Sequence, residues 1–138
     1  MKTPAILHGQ KYESIALAKY ESEHGRGTTV LEIKCPSVVR NQMINTKRVP
    51  FLKEEDGHIF LDNNHDYFYQ IQGQLFCTGA TICNFVIYTF KDFKCIHVKR
   101  DDIFINMVKK LQEFYEKYFK SAVLQRLFYK EYSKYSFE

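Results

Sequence analysis

The sequence predicts a mixed α/β domain in which a small sheet is flanked by helices, with elements in the order α-β-α-β-β-α. Three observations support this. Apolar residues recur at helical spacing in three segments, β-branched and polar residues alternate in a fourth, and two apolar segments rich in Val, Ile, Phe and Tyr flank a short turn. With 45% apolar and 16% aromatic residues, the 138-residue chain has enough apolar surface for one core. We therefore predict a single domain over 1–138, with a core at 8–120 and a helical tail at 121–138.

The first half of the chain predicts a helix, a strand and then a mostly irregular segment. Residues 9–23 have apolar positions at helical spacing and end before a Gly-Arg-Gly sequence, which predicts a helix. Residues 28–35 alternate and stop at Pro36, which predicts a strand. The segment 37–63 looks irregular, apart from a short extended piece at 58–61.

The second half predicts a helix, a hairpin and a long final helix. The helix runs from about Asp66 to Gly79 and opens at an Asp or Asn cap. Segments 81–90 and 94–99 then form a β-hairpin. The last helix is capped by Asp101 or Asp102 and carries an apolar stripe.

Charge and cysteine usage narrow the class of protein. The net charge is +4, which fits a polyanionic partner without requiring one. The four cysteines form no Cys-x-x-Cys pair, so we expect reduced thiols and no zinc site. No signal peptide is recognisable and no apolar run is long enough to cross a bilayer, so we expect an intracellular, nuclear or cytoplasmic protein without a membrane partner.

The segment from Leu31 to Pro36, LEIKCP, carries the strongest chemical signal. Side chains alternate on a strand, so Glu32 and Lys34 share one face while Leu31 and Ile33 point into a core. A paired acid and amine at a strand end can hold a divalent metal and steady a nucleophilic water beside a phosphodiester. The plain alternative is an exposed charge pair that serves solubility.

Three further segments turn this signal into a family resemblance. They are His8–Glu13 (HGQKYE), Tyr67–Leu75 (YFYQIQGQL) and Phe85–Asp92 (FVIYTFKD). Together with LEIKCP, and in this order over residues 8–120, the sequence resembles the YqaJ-type viral recombinase family, the lambda-exonuclease-like branch of the PD-(D/E)xK nucleases. The resemblance implies a restriction-endonuclease-like core. It also implies a DNA exonuclease that uses Mg²⁺ or Mn²⁺ on duplex ends, in viral or mobile-element recombination or repair.

The resemblance also implies roles for particular residues. Glu32 would bind the metal, together with the carbonyl of Ile33, and Lys34 would orient or activate the attacking water. Glu13 would support the site from the first helix, and Gln70 would face it from the second. The plain alternative for Glu13 is a solvated helix residue.

DNA contacts are predicted at a second set of residues. Tyr67 and Gln74 share the helical side of Gln70, whereas Gln72 should point elsewhere. Gln70 and Gln74 would otherwise only hydrogen-bond each other at the surface. The run 34–53 has no acid, so its basic residues are expected to contact phosphate, with a solvated loop as the alternative; the predicted contacts are Arg40, Lys47 and Arg48. Homo-oligomerisation and a single-strand annealing protein partner stay open.

One part of the family pattern is missing. Members carry an aspartate on a strand that precedes the Glu-x-Lys strand and pairs with it as a hairpin. Here only Gly25 to Leu31 separate the first helix from Glu32, and the first Asp of the chain is Asp56. We therefore expect an exposed sheet edge beside residues 28–35. Three functions stay open: an exonuclease, a non-catalytic DNA-binding descendant, and a remnant without a nucleic-acid role.

Overall fold

The computed structural model describes the backbone of residues 2–25 and 29–135, and the side chains of residues 2–25 and 29–128. The α-helices of the described part are α1 (Pro4–His24), α2 (Asp66–Thr78), α3 (Asp102–Phe114) and α4 (Lys120–Tyr135). The strands are β1 (Val30–Lys34), β2 (Leu52–Glu55), β3 (His58–Leu61), β4 (Ile82–Tyr88) and β5 (Phe93–Lys99). A short 3-10 helix, Ser37–Val39, follows β1, and a π-helical segment, Tyr115–Phe119, joins α3 to α4.

The strands form two small sheets. In the first, the order is β1-β4-β5, with β1 parallel to β4 and β4 antiparallel to β5. In the second, β2 and β3 pair as an antiparallel hairpin. These sheets, with helices beside them, confirm the predicted mixed α/β class.

The core of residues 1–100 lies around β4. The five residues from Cys83 to Ile87 are all buried, as expected for the middle strand of a sheet covered on both faces. From α2, Ile71 and Leu75 are completely buried, and Val49 and Phe51 contribute from the loop before β2. Because β4 is fixed in this way, its parallel partner β1 is held in one register, with Glu32 opposite Phe85.

The first helix begins earlier than the prediction from residue 9. The Thr3 hydroxyl accepts a hydrogen bond from the Ile6 amide, and Pro4 occupies the first helical position. Both are ordinary start signals for a helix. The helix ends at Gly25, whose φ of 74° suits a glycine. The predicted break at Arg26 and Gly27 lies outside the described residues, as does Thr28 at the start of the predicted strand.

The prediction of a mostly irregular segment over 37–63 is wrong for β2. Asp56 and Gly57 both have positive φ, 50° and 77°, and join β2 to β3. An Asp-Gly pair favours this turn because the two residues tolerate the left-handed region. The extended piece predicted at 58–61 is β3, so that part is confirmed.

The second helix agrees closely with the prediction. It runs from Asp66 to Thr78 and is closed by Gly79 in the left-handed conformation. The cap differs from the expected Asp or Asn, because His65 Nδ1 accepts the hydrogen bond from the Tyr67 amide. An imidazole nitrogen can accept in the same way as a carboxylate or amide oxygen.

Strand β1 lies at the end of the sheet order, and within the described part of the chain it pairs with β4 alone. This agrees with the missing hairpin strand. The edge beside β1 is therefore open, as expected from the short spacing between α1 and Glu32.

Contacts divide the chain into two compact units, 1–100 and 101–138. This boundary precedes the one predicted near residue 120, and the single-domain assignment stays a prediction.

In the second unit, the Asp101 carboxylate caps α3 by accepting from the Ile103 and Phe104 amides, as predicted. The predicted helical tail corresponds to α4, and 136–138 lie outside the described residues. Among the described helices, none is long and apolar enough to cross a membrane.

Candidate functional site

The candidate site is built on the face of β1 that α2 covers. Glu32 and Lys34 are alternate residues of one strand, so their side chains emerge on the same face. The Lys34 ammonium lies 2.7 Å from Glu32 Oε1. With 21% and 14% of these side chains exposed, the pair is only partly screened by water.

Two glutamines of α2 complete the coordination of this carboxylate. Gln70 Nε2 donates to Glu32 Oε1 at 3.1 Å, and Gln74 Nε2 donates to Oε2 at 2.8 Å. They lie one helical turn apart, which places both amides on the side of α2 that faces β1. The alternative, in which the two glutamines only hydrogen-bond each other, is wrong, because both side chains donate to Glu32.

Lys34 has two further contacts. Its ammonium donates to Gln70 Oε1 at 3.3 Å and lies 4.3 Å from the centre of the Tyr67 ring. The first is a hydrogen bond to a neutral amide oxygen, and the second is a cation–π contact. We call this group of five side chains the Glu32 cluster; its members are Glu32, Lys34, Tyr67, Gln70 and Gln74. Paired in this way, the amine can attract a phosphate, but as an ammonium it cannot accept a proton.

The cluster retains one unsatisfied polar atom. Gln74 Oε1 is buried and has no hydrogen-bond partner within the part of the chain that the structure describes. The amide cannot turn over without losing the bond from Nε2 to Glu32. Gln72, by contrast, points elsewhere, as the sequence predicted; it is buried and donates to the Lys99 carbonyl at 2.9 Å.

Glu13 reaches the same region from α1. It lines a groove of about 490 Å³ together with Ile33, Lys34 and Tyr67. Burial raises the pKa of the neighbouring Cys35 thiol to about 11, and the charge of Glu13 adds to this increase. Glu13 is therefore close to the end of β1, although the structure gives it no direct bond to the Glu32 carboxylate.

The charge of Glu32 also affects the pKa of a thiol on the neighbouring strand. Burial raises the pKa of the Cys83 thiol to about 11, and the Glu32 carboxylate is the second cause of the increase. Cys83 lies opposite Val30 on β4, two residues before Phe85. The carboxylate is thus close enough to the core to raise the cost of a second negative charge there.

The predicted DNA-contacting cations lie on the segment between β1 and β2. The Arg40 guanidinium donates to the Ser37 carbonyl at 2.8 Å and is exposed. Lys47 and Arg48 are also exposed, in a turn closed by bonds from the Arg48 amide to Asn45. The structure thus leaves these three cations accessible to a phosphate.

One aromatic contact was not predicted from the sequence. It lies beyond the carboxyl ends of β1 and β4. The rings of His8, Tyr12 and Phe90 touch one another. The spacing of His8 and Tyr12 on a helix would have indicated the first pair. The position of Phe90 could not have been found in the same way, since its turn joins β4 to β5.

The described donors do not form a metal centre. Among the described side chains, those of residues 2–25 and 29–128, no group of three His, Cys, Asp or Glu is placed to hold an ion. Glu32 supplies one carboxylate, and three donors already use most of its lone pairs. A magnesium ion is usually bound through one or two carboxylates together with water and phosphate. The Mg²⁺ or Mn²⁺ cofactor therefore stays a prediction, as do the metal-binding roles of Glu32 and Ile33.

Comparison with known proteins gives a relationship at the level of the fold. No protein-family model and no curated protein matches the chain. Among solved structures, it is similar to the crystal structure of LHK-Exo in complex with dAMP, with a TM-score of 0.59. The two share 23% identical residues, and the match covers 91% of this chain and 76% of LHK-Exo. The likeness shows that this chain shares the fold of LHK-Exo. The predicted membership of the YqaJ-type family stays a prediction.

Proposed function

We propose that this chain is a DNA nuclease-like domain that binds DNA at the Glu32 cluster. The observation that carries the proposal is the convergence of β1 and α2 on one carboxylate. There Lys34 and two glutamines are held together by four hydrogen bonds or ion pairs. The cluster lies in a fold shared with LHK-Exo, whose crystal structure contains a nucleotide, dAMP.

The charges of this region support a phosphate ligand. Lys34 remains 21% exposed, so its ammonium can donate outward while it stays paired with Glu32. Arg40, Lys47 and Arg48 are exposed on the following segment and would contact phosphates further along the strand. The net charge of +4 favours the approach of DNA over its repulsion.

Metal-dependent hydrolysis is the second candidate. It is favoured by the groove that Glu13 shares with Lys34, since a phosphodiester there would meet an acid and an amine. Among the described side chains no group of three His, Cys, Asp or Glu converges there, so we propose binding first. Action in recombination or repair, homo-oligomerisation and a single-strand annealing partner belong to this second candidate and rest on the family resemblance alone.

Binding is tested by fluorescence anisotropy with a short labelled duplex in EDTA, over a series of salt concentrations. We expect measurable affinity that falls steeply with salt, because phosphate contacts release counterions. Lys34→Ala should weaken binding and reduce the salt slope by about one unit. The matched control is Lys120→Ala, which breaks an exposed Lys–Glu pair elsewhere. The absence of duplex binding by the wild type, or equal effects of both variants, would contradict the proposal.

Hydrolysis is tested with end-labelled linear duplex and Mg²⁺ or Mn²⁺. Release of nucleotides by the wild type, but not by Lys34→Ala or Glu32→Gln, would favour the second candidate. A wild type that binds duplex but releases nothing would favour the non-catalytic function.

A further inference from the structure

A compact group of aromatic side chains lies outside the Glu32 cluster. The His8 and Tyr12 rings of α1 are 4.6 Å apart, and the Phe90 ring meets Tyr12 edge-on at 4.8 Å. The His8 and Phe90 rings are 5.7 Å apart, which closes a triangle. His8, Tyr12 and Phe90 are called the aromatic patch below.

The aromatic patch is accessible. Phe90 is 44% exposed, although a phenylalanine in a turn could have been buried against α1. His8 and Tyr12 are each partly exposed. The patch therefore presents ring surface to a ligand as well as packing one end of α1 onto the β4–β5 turn.

Two cations, Lys11 and Arg40, lie beside the aromatic patch. The Lys11 ammonium lies 5.3 Å from the centre of the Tyr12 ring. Arg40 is joined to the patch through its carbonyl, which accepts from the Phe90 amide at 2.8 Å. Burial lowers the pKa of His8, and the charges of Arg40 and Lys11 lower it further, so at neutral pH its ring is uncharged. Proteins bind single-stranded nucleic acid through this combination, in which aromatic faces stack the bases and nearby cations contact the backbone.

The aromatic patch and the Glu32 cluster lie near the same end of the sheet. Because β1 and β4 are parallel, their carboxyl ends meet there, with Lys34 opposite Ile87. Phe90 follows Ile87 by three residues, which corresponds to about 10 Å of extended chain. Arg40, one of the exposed cations proposed to contact DNA, connects the two regions along the chain.

We propose that the aromatic patch stacks an unpaired base of a single-stranded DNA tail that continues from a duplex bound at the Glu32 cluster. The proposal rests on the proposed function and adds the class of substrate, a duplex end with an unpaired strand. Bases inside a duplex are already stacked on both sides, whereas an unpaired base has a free face for Phe90.

The chain offers a direct test because it contains no tryptophan. Phe90→Trp places a single fluorophore in the aromatic patch, and a stacked base should quench it. We expect a duplex with a single-stranded thymidine tail to quench this fluorescence, with the same midpoint as binding measured by anisotropy. A blunt duplex of the same sequence should bind with little quenching. The matched control is Phe114→Trp, at an exposed phenylalanine of α3, which should not be quenched by either probe.

A second pair of variants separates stacking from packing. Phe90→Leu keeps an apolar side chain but removes the ring, and should weaken binding of the tailed duplex by between about fivefold and a hundredfold. Phe90→Tyr keeps the ring and should retain the wild-type affinity. Binding of the blunt duplex should be unchanged in both variants.

The outcomes distinguish the two proposals. If neither probe binds the wild type, the proposed function itself has failed. If both probes bind equally well and Phe90→Trp is not quenched, the aromatic patch does not stack a base, and the proposed function stands. Equal weakening of both probes by Phe90→Leu, together with a lower Tm, would show a purely structural role. A shift in the emission maximum of Phe90→Trp with protein concentration, in the absence of DNA, would indicate that a second copy of the chain covers the patch, and would overturn the proposal.

Discussion

Two lysine–glutamate pairs in the described part of the chain have different surroundings. Lys34 and Glu32 are 2.7 Å apart on β1 and are 21% and 14% exposed. Lys120 and Glu116 are 3.2 Å apart, one helical turn from each other, and are 50% and 55% exposed. The same two functional groups are thus partly withdrawn from water in one place and solvated in the other.

The surroundings of the two pairs, more than the charges themselves, decide which of them can act as a site. Each Glu32 oxygen accepts from an amide of α2 as well, so the carboxylate is fixed by two elements of the fold. The Glu116 pair is local in sequence and joins the π-helical segment to the first residue of α4, where water and salt compete with the interaction. A fixed, partly dehydrated pair is ready to meet a phosphate without reorganising, whereas an exposed pair must first be ordered.

The largest effect is expected for Lys34→Ala. Removing the ammonium leaves a mostly buried carboxylate with only its amide donors, so the free energy of unfolding should fall by about 2 kcal/mol. Urea denaturation followed by circular dichroism measures this. Lys34→Met keeps a long unbranched side chain but removes the ammonium that lies over the Tyr67 ring, so a similar loss in both variants would assign the effect to the charge. A loss below about 0.5 kcal/mol would place this pair in the same class as the exposed one.

A smaller effect is expected for Gln74→Leu. The substitution removes a hydrogen bond to a charged group, but it also removes the buried Oε1 that has no described partner. The two changes partly offset each other, so we expect a loss of about 1 kcal/mol in the free energy of unfolding. Gln74→Glu, which sets two carboxylates together, should cost more. A Gln74→Leu variant as unstable as Lys34→Ala would show that the amide, rather than the ammonium, holds the carboxylate.

The smallest effect is expected for Lys120→Ala. An exposed pair one turn apart on a helix contributes up to about 0.5 kcal/mol, and the small remainder should vanish in high salt. The same denaturation experiment with and without added salt checks this. If Lys120→Ala were as destabilising as Lys34→Ala, exposure would not be what separates the two pairs.

Sequence reasoning succeeded where a short period governs the structure. The alternation of β1 was enough to place Glu32 and Lys34 on one face. The helical repeat of α2 was enough to place Gln70 and Gln74 on one side and Gln72 on another. The fold class followed from the same patterns.

It failed where polar strands or distant contacts decide the structure. Strand β2 has three exposed residues in sequence, from Lys53 to Glu55, so no alternation marks it. Only the Asp-Gly pair at its end carried a signal. The contact of Phe90 with Tyr12 joins segments far apart in the chain, and no local pattern specifies such a pairing.

The parallel pairing of β1 with β4 has a consequence for the order of folding. The β4–β5 hairpin closes over a short turn, whereas β1 meets β4 only after the whole of residues 35–81 has been looped back. Such long-range parallel pairing forms slowly, so we expect β1 to join the sheet late, after the hairpin is complete. The Glu32 cluster would then assemble on the native side of the rate-limiting step. Lys34→Ala should accordingly speed unfolding while leaving the refolding rate nearly unchanged.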